Sequence, residues 1–156
     1  MAHAQQQILD ALQIILAAGS TVASTRVFVD RVDPLQADEL PAILIDEDAD
    51  GEASEISTVA DWEQRTLAVQ ITCVLADSTN AAAEARDFGL AVEKLIAPSA
   101  TMTTLAKMGY RITASRQANV GSRQANVGSG DRLFGARQQS WQFSYLVAAD
   151  EPDVII

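Results

Sequence analysis

Three stretches of this chain alternate apolar and polar residues with a period of two, and no other feature restricts its fold as tightly. They are RVFVDRVDPLQADELPAILI, residues 26 to 45, WEQRTLAVQITCVLA, residues 62 to 76, and GARQQSWQFSYLVAADEPD, residues 135 to 153. Successive side chains of a strand point to opposite faces, so this is the pattern of half-buried antiparallel strands.

Within the first stretch, Thr25 to Arg31 reads as a short strand that sets Val27 and Val29 on one face and Phe28 and Asp30 on the other, with Asp33-Pro34 ending it. Pro41 then opens a second strand, AILI, whose unbroken apolar run predicts burial on both faces. The third strand, Trp62 to Ala76, alternates Leu67, Val69, Ile71, Cys73 and Leu75 with Thr66, Ala68, Gln70 and Thr72, and its length suits the centre of a sheet. A fourth strand carries Tyr110, Ile112 and Ala114 on one face, and a fifth carries Trp141, Phe143, Tyr145 and Val147.

Helical spacing appears twice. Ile8, Leu12, Ile15 and Leu16 predict an amphipathic helix over residues 4 to 18, with Gly19 as its stop. Ala85, Phe88, Val92, Leu95 and Ile96 predict a second, capped by Asp77 or Ser78 and ended by Pro98, with a short helical turn over Thr101 to Lys107 after it. The expected fold is α+β, a mainly antiparallel sheet of about five strands with two main helices packed on one face. One domain over residues 1–156 accommodates all of it, since a chain of 156 residues buries roughly 70% of its unfolded surface.

Charge excludes one large class. The net charge is -10 and the pI about 4.3, so the average surface repels phosphate backbones and supplies no counterion-release term for nucleic-acid affinity. No apolar run approaches the roughly 20 residues that span a bilayer, and the N-terminus lacks the positively charged start of a signal peptide, so no membrane partner and synthesis in the cytoplasm are expected. Asp46, Glu47, Asp48, Asp50, Glu52 and Glu55 crowd like charges together and predict a solvated, mobile loop over about 46–60.

Known chemistries find little support. The run from Asp46 matches a calcium loop at its first, third, fifth and sixth positions, Asp46, Asp48, Asp50 and Gly51. It places Ser57 where the bidentate glutamate belongs and Ala53 where a larger apolar residue belongs, and a strand precedes it. The single histidine, His3, lies near a terminus expected to fray, and the single cysteine, Cys73, lies on an apolar strand face, so neither a His-activated nucleophile nor a Cys/His metal site is expected. There is no phosphate-binding glycine loop, and no second feature singles out a working carboxylate pair among the 21 acids. No enzyme activity and no cofactor are expected.

The segment between the fourth and fifth strands holds an identical tandem copy of SRQANVG, at 115 to 121 and 122 to 128. A recent local duplication, a recording error and a selected lengthening all account for it. Gly121 and Gly128 break helices, so the period of seven is no coiled-coil heptad, and a polar loop over about 116–136 is expected.

The order helix, two strands, long strand, helix, two strands, with VDRVDPLQADELPAILI, RTLAVQITCVLA, AVEKLIA and a final aromatic strand, resembles the tail terminator proteins of long-tailed phages, the minor tail protein U and tail completion group. The resemblance covers roughly residues 5 to 149. It implies a virion protein, assembled in the host cytoplasm, that closes into a hexameric ring at the head-proximal end of the tail tube, stops tube polymerisation and offers a surface for head attachment. The implied partners are further copies of itself, the tail tube protein and a head-completion or neck protein, with DNA passing through the lumen without specific binding. The implied interaction surfaces are Asp46, Glu47, Asp48, Asp50, Glu52 and Glu55 in the acidic segment, and Arg116, Arg123, Asp131 and Arg132 in the polar one. Where the chain departs from the family pattern is the seven-residue duplication. Two alternatives stay open: another head-to-tail connector subunit, and a dimeric α+β ligand-binding or regulatory module. The residues 150–156 form a short C-terminal tail that docks on a partner or frays.

Overall fold

The computed structural model describes residues 3–56, 61–76, 80–120 and 134–156. Its first element is helix α1 (Ala4–Ala18), whose Ile8, Leu12 and Leu16 are fully buried at helical spacing. His3 begins it: the imidazole Nδ1 accepts the backbone N–H of Gln5 at 3.3 Å, so the residue expected to fray is an N-cap.

Strand β1 (Val27–Val29) pairs parallel with β2 (Ala42–Ile56); β3 (Trp62–Val74) pairs antiparallel with β2 and with β5 (Phe134–Ala148), and β4 (Gly109–Val120) pairs antiparallel with β5. The sheet order is β1-β2-β3-β5-β4, so the strand expected at the centre is there. Helices α2 (Ala81–Ile96) and α3 (Ala100–Leu105) connect β3 to β4. The α2 N-cap is Asn80, and the expected caps Asp77 and Ser78 lie outside the described residues.

One core joins α1, α2 and α3 to a single face of the sheet. Ile43 and Ile45 of β2, Leu67, Val69, Ile71 and Cys73 of β3, and Trp141, Phe143, Tyr145 and Val147 of β5 all point into it. Phe143 stacks between Tyr110 and Trp141, with ring centroids 5.9 and 6.1 Å away. Thr72 and Gln139 are the buried polar residues among those described, and the Gln139 amide is used at both ends. Its Nε2 donates to the Gly89 carbonyl at 2.9 Å, and its Oε1 accepts from Trp141 Nε1 at 3.1 Å, so one satisfied side chain ties α2 to β5.

Ala42 and Leu44 point the other way, into a small second cluster with Leu35, Val74 and Ala136, which is why AILI is apolar throughout. The rest of that second face carries no α-helix among the described residues. Gln70 and Thr72 of β3 and Gln138, Ser140, Gln142 and Ser144 of β5 spread across it.

Two expected loops are shorter than the charge and repeat patterns predict. The acidic segment 46–56 is strand, since backbone pairing to β3 is indifferent to side-chain charge and alternate side chains project into water. The pairing is interrupted once: Glu47 pairs with Val69 and Glu52 with Leu67, leaving residues 48–51 opposite Ala68 alone. Gly51, at φ 59°, adopts the left-handed backbone such a bulge needs. Only 57–60 of that expected loop lie outside the described residues. In the second expected loop, the first SRQANV copy is the end of β4 and β5 starts at Phe134. Arg116 pairs with Gln138 and donates to its Oε1 from Nε at 2.8 Å.

The C-terminal tail neither frays nor waits for a partner. β4 reaches along β5 only to Ser144, and the vacated edge beyond it is taken by the chain's own end. Ile155 bridges Val147, Ile156 N–H donates to the Leu146 carbonyl at 3.0 Å, and Gln7 Nε2 on α1 donates to the Asp153 carbonyl at 2.8 Å.

Candidate functional site

Beyond Ile45, β2 outruns β1, which ends at Val29, and no described residue pairs with its outer side from Asp46 to Ile56. This arm carries all six acids singled out from the sequence. Glu47, Asp50 and Glu55 are exposed, while Asp48 turns back to accept the Ala49 N–H at 2.6 Å. Asp46 is half-buried; desolvation, and after it the nearby charge of Asp30, pushes its carboxyl above the usual carboxylate range.

Glu52 differs from its neighbours because the bulge returns it to the core side, level with Leu67. Its carboxylate accepts from Arg65 Nη1 at 3.3 Å and from the Tyr145 hydroxyl, and Arg65 also donates from Nε to Glu63 at 3.2 Å. The Ser54 hydroxyl donates to Glu63 as well; that bond, and after it Arg65, holds the Glu63 carboxyl below its usual value. Burial, and after it the Glu52 contact, drives the Tyr145 phenol well above its usual value. The cluster seals the open end of the core. Its sequence signal was present: Glu63 and Arg65 share the period-two face of Leu67.

At the opposite edge, β4 pairs only with β5. Arg111, Thr113, Ser115, Arg116 and Gln117 are exposed along it, and Lys107 is exposed in the turn leading to it. Arg116 lies on this edge, with β3 and β5 between it and the six acids of the β2 arm. Arg123, Asp131 and Arg132 lie outside the described residues.

The charge division runs through the whole chain. Residues 1 to 93 contain four basic and seventeen acidic side chains, whereas residues 94 to 149 contain seven basic ones and a single acid, Asp131. The sheet order places β1, β2 and β3, from the acidic part, on one side and β5 and β4, from the basic part, on the other.

A shallow cleft of about 450 Å³ opens between α2, α3 and β4, lined by Glu93, Thr103, Lys107, Tyr110, Arg111 and Trp141 among others. Its groups are largely engaged in the fold: Glu93 accepts from Gln139 Nε2 at 3.2 Å and the Tyr110 hydroxyl donates to the Ala97 carbonyl at 2.7 Å. Among the described residues no three His, Cys, Asp or Glu side chains are placed to hold a metal ion, and no described helix is long and apolar enough to cross a membrane. Cys73 is buried, and desolvation pushes its thiol up to about 12.

Fold and site together define a helix-backed α+β sheet protein whose distinguishing surfaces are two oppositely charged edges and the bare polar face between them. No family model matches the chain, and no curated protein matches it.

Proposed function

We propose that this chain is a structural subunit of a long-tailed phage, the tail terminator, which assembles as a hexameric ring on the head-proximal end of the tail tube, ends its polymerisation and receives the head. The observation that carries this reading is the one-sided sheet. The described α-helices lie on one face, and the other presents the amides and hydroxyls of Gln70, Gln138, Ser140, Gln142 and Ser144. A ring that turned these faces inward would offer DNA a polar wall without a continuous positive track. With a subunit charge of -10, such a wall lets a polyanion pass without the counterion release that drives binding. Function on this reading resides in surfaces, with no chemical step and no cofactor. Mutual repulsion of the acidic subunits keeps free protein dispersed until a tube end gathers them, and salt weakens that repulsion over distances beyond about 8 to 10 Å.

The test is native mass by light scattering at low and high salt, with and without purified tail tubes, followed by electron microscopy. Hexameric rings, or caps on tube ends, are expected, with oligomers favoured by salt. A monomer or dimer that ignores both salt and tubes would overturn the reading.

A further inference from the structure

We propose that copies of this chain join head to tail through their two free sheet edges: the Gly109–Thr113 part of β4 on one copy pairs with the Asp46–Ile56 arm of β2 on the next. This names the interface of the ring proposed above and rests on that reading for closure into a ring.

Three independent features meet in this pairing. The first is direction. β2 and β5 run one way, β3 and β4 the other. In a ring whose axis follows the strands every copy keeps the same sense, so β4 of one copy meets β2 of the next antiparallel, with the better-aligned hydrogen bonds of the two sheet geometries.

The second is level. Arg111 pairs with Gln142, Gln142 pairs with Ala68, and Ala68 faces the 48–51 bulge. The row that starts at Arg111 on one edge therefore ends at Asp48 and Asp50 on the other. Gly109 reaches Ala53 by the same path, through Ser144 and Thr66, which sets Lys107 beyond it towards Glu55.

The third is charge. The side chains of Arg111, Lys107, Asp50 and Glu55 make no hydrogen bond or ion pair among the described residues, and all four are exposed. A second copy supplies each with its opposite. Two acidic edges brought together would repel, as would two basic ones, so the charges favour the heterologous contact over a symmetric dimer. Each exposed pair contributes about 0 to 1 kcal/mol, up to about fivefold in association, so the pairs select the partner edge while the strand ladder holds it. The protein covers the part of β5 that β4 leaves bare by folding Ile155 against Val147, and leaves the β2 arm and β4 open.

Disulfide trapping tests the contact. Three strand spacings of about 4.8 Å separate β2 from β4 within one chain, well over the 7 Å that a disulfide spans, so cysteines on the two edges can bond only between copies. Cys73 is buried and does not interfere. The double variant Asp50→Cys/Arg111→Cys, oxidised under conditions where light scattering shows oligomers, is expected to give a ladder of covalent multimers. Each single variant is expected to give none. Arg111→Glu is expected to weaken association about fivefold, and adding Asp50→Arg to restore it. Oligomers without a ladder would overturn this interface and leave the ring standing, a covalent dimer from either single variant would show a symmetric contact instead, and no oligomer under any condition would overturn both proposals.

Discussion

The Tyr145 hydroxyl donates a hydrogen bond to the carboxylate of Glu52, 93 residues earlier in the chain, and Arg65 on the strand between them binds the same carboxylate. Tyr145 stands on β5, Arg65 on β3 and Glu52 on β2, so the trio laces three strands where the apolar core runs out. It also puts a buried phenol to use, since a fully buried tyrosine needs a partner for its hydroxyl.

Tyr145→Phe keeps the ring and removes the donor. A net hydrogen bond to a charged group contributes about 1.5 to 3 kcal/mol, and Arg65 continues to satisfy Glu52, so a loss of about 1 to 2 kcal/mol is expected in urea unfolding, with little change in the slope. In a Glu52→Ala background the same substitution should lose most of its effect. An undiminished effect there would show that the hydroxyl acts through something other than Glu52.

Gly135→Ala should destabilise the protein although both residues are small. A Cβ at this position would stand 2.8 Å from the Ala81 Cβ and 2.9 Å from the Ala81 carbonyl oxygen, at the point where α2 begins against β5. The obstacle includes backbone, so α2 must shift, and overpacking of this kind costs about 1 to 3 kcal/mol. A fall in the melting temperature checks it; an unchanged value would mean that α2 does not press on β5 there.

Cys73 should be silent in the folded protein. Its thiol is buried and raised to about 12, so almost no thiolate exists at pH 8. A chromogenic disulfide reagent is expected to leave the native chain unmodified and to titrate one thiol in denaturant. Rapid labelling of the native chain would place Cys73 outside the core.

How much of this was legible in the sequence depended on which force set the residue. Burial writes a period: Leu67 to Cys73 and Trp141 to Val147 alternate because one face meets the helices, and Ile8, Leu12 and Leu16 repeat every fourth residue or so because one stripe of α1 meets the sheet. Those elements, and the double-sided burial of Ala42 to Ile45, could be read directly. Backbone pairing writes nothing in side-chain type. The acidic run therefore reads as a loop, because charge density speaks of solvation and not of the ladder to β3 that makes it strand. Arg116 likewise reads as part of a loop, since a repeat of polar residues does not reveal Gln138 opposite. Long-range side-chain partners were least legible of all. Nothing near Glu52 in sequence announces Tyr145, and nothing near His3 except its position before α1 announces a cap.

Two carboxyls on adjacent strands should respond to pH in opposite senses. The carboxyl of Asp46 is raised by desolvation and by Asp30, so its folded state favours the proton. The stability this provides is present below the unfolded pKa, near 3.8, and is lost as pH rises through the higher folded value; at pH 7 the ionised carboxylate weakens the fold. Asp46→Asn, a neutral near-isostere, should therefore raise the melting temperature at pH 7, and the gain should vanish as the pH approaches 3. Glu63 is the mirror case, its carboxyl lowered by the Ser54 hydroxyl and by Arg65. Its contribution is present above the unfolded value, near 4.5, and disappears as pH falls through the lowered one, so Glu63→Gln should lower the melting temperature at pH 7 and converge with the native chain in acid. Melting curves of the three proteins from pH 3 to pH 8 decide the matter. If the two variants shift in the same direction at pH 7, the sign assigned to one of these carboxyls is wrong, and with it either the burial of Asp46 beside Asp30 or the hold of Ser54 and Arg65 on Glu63.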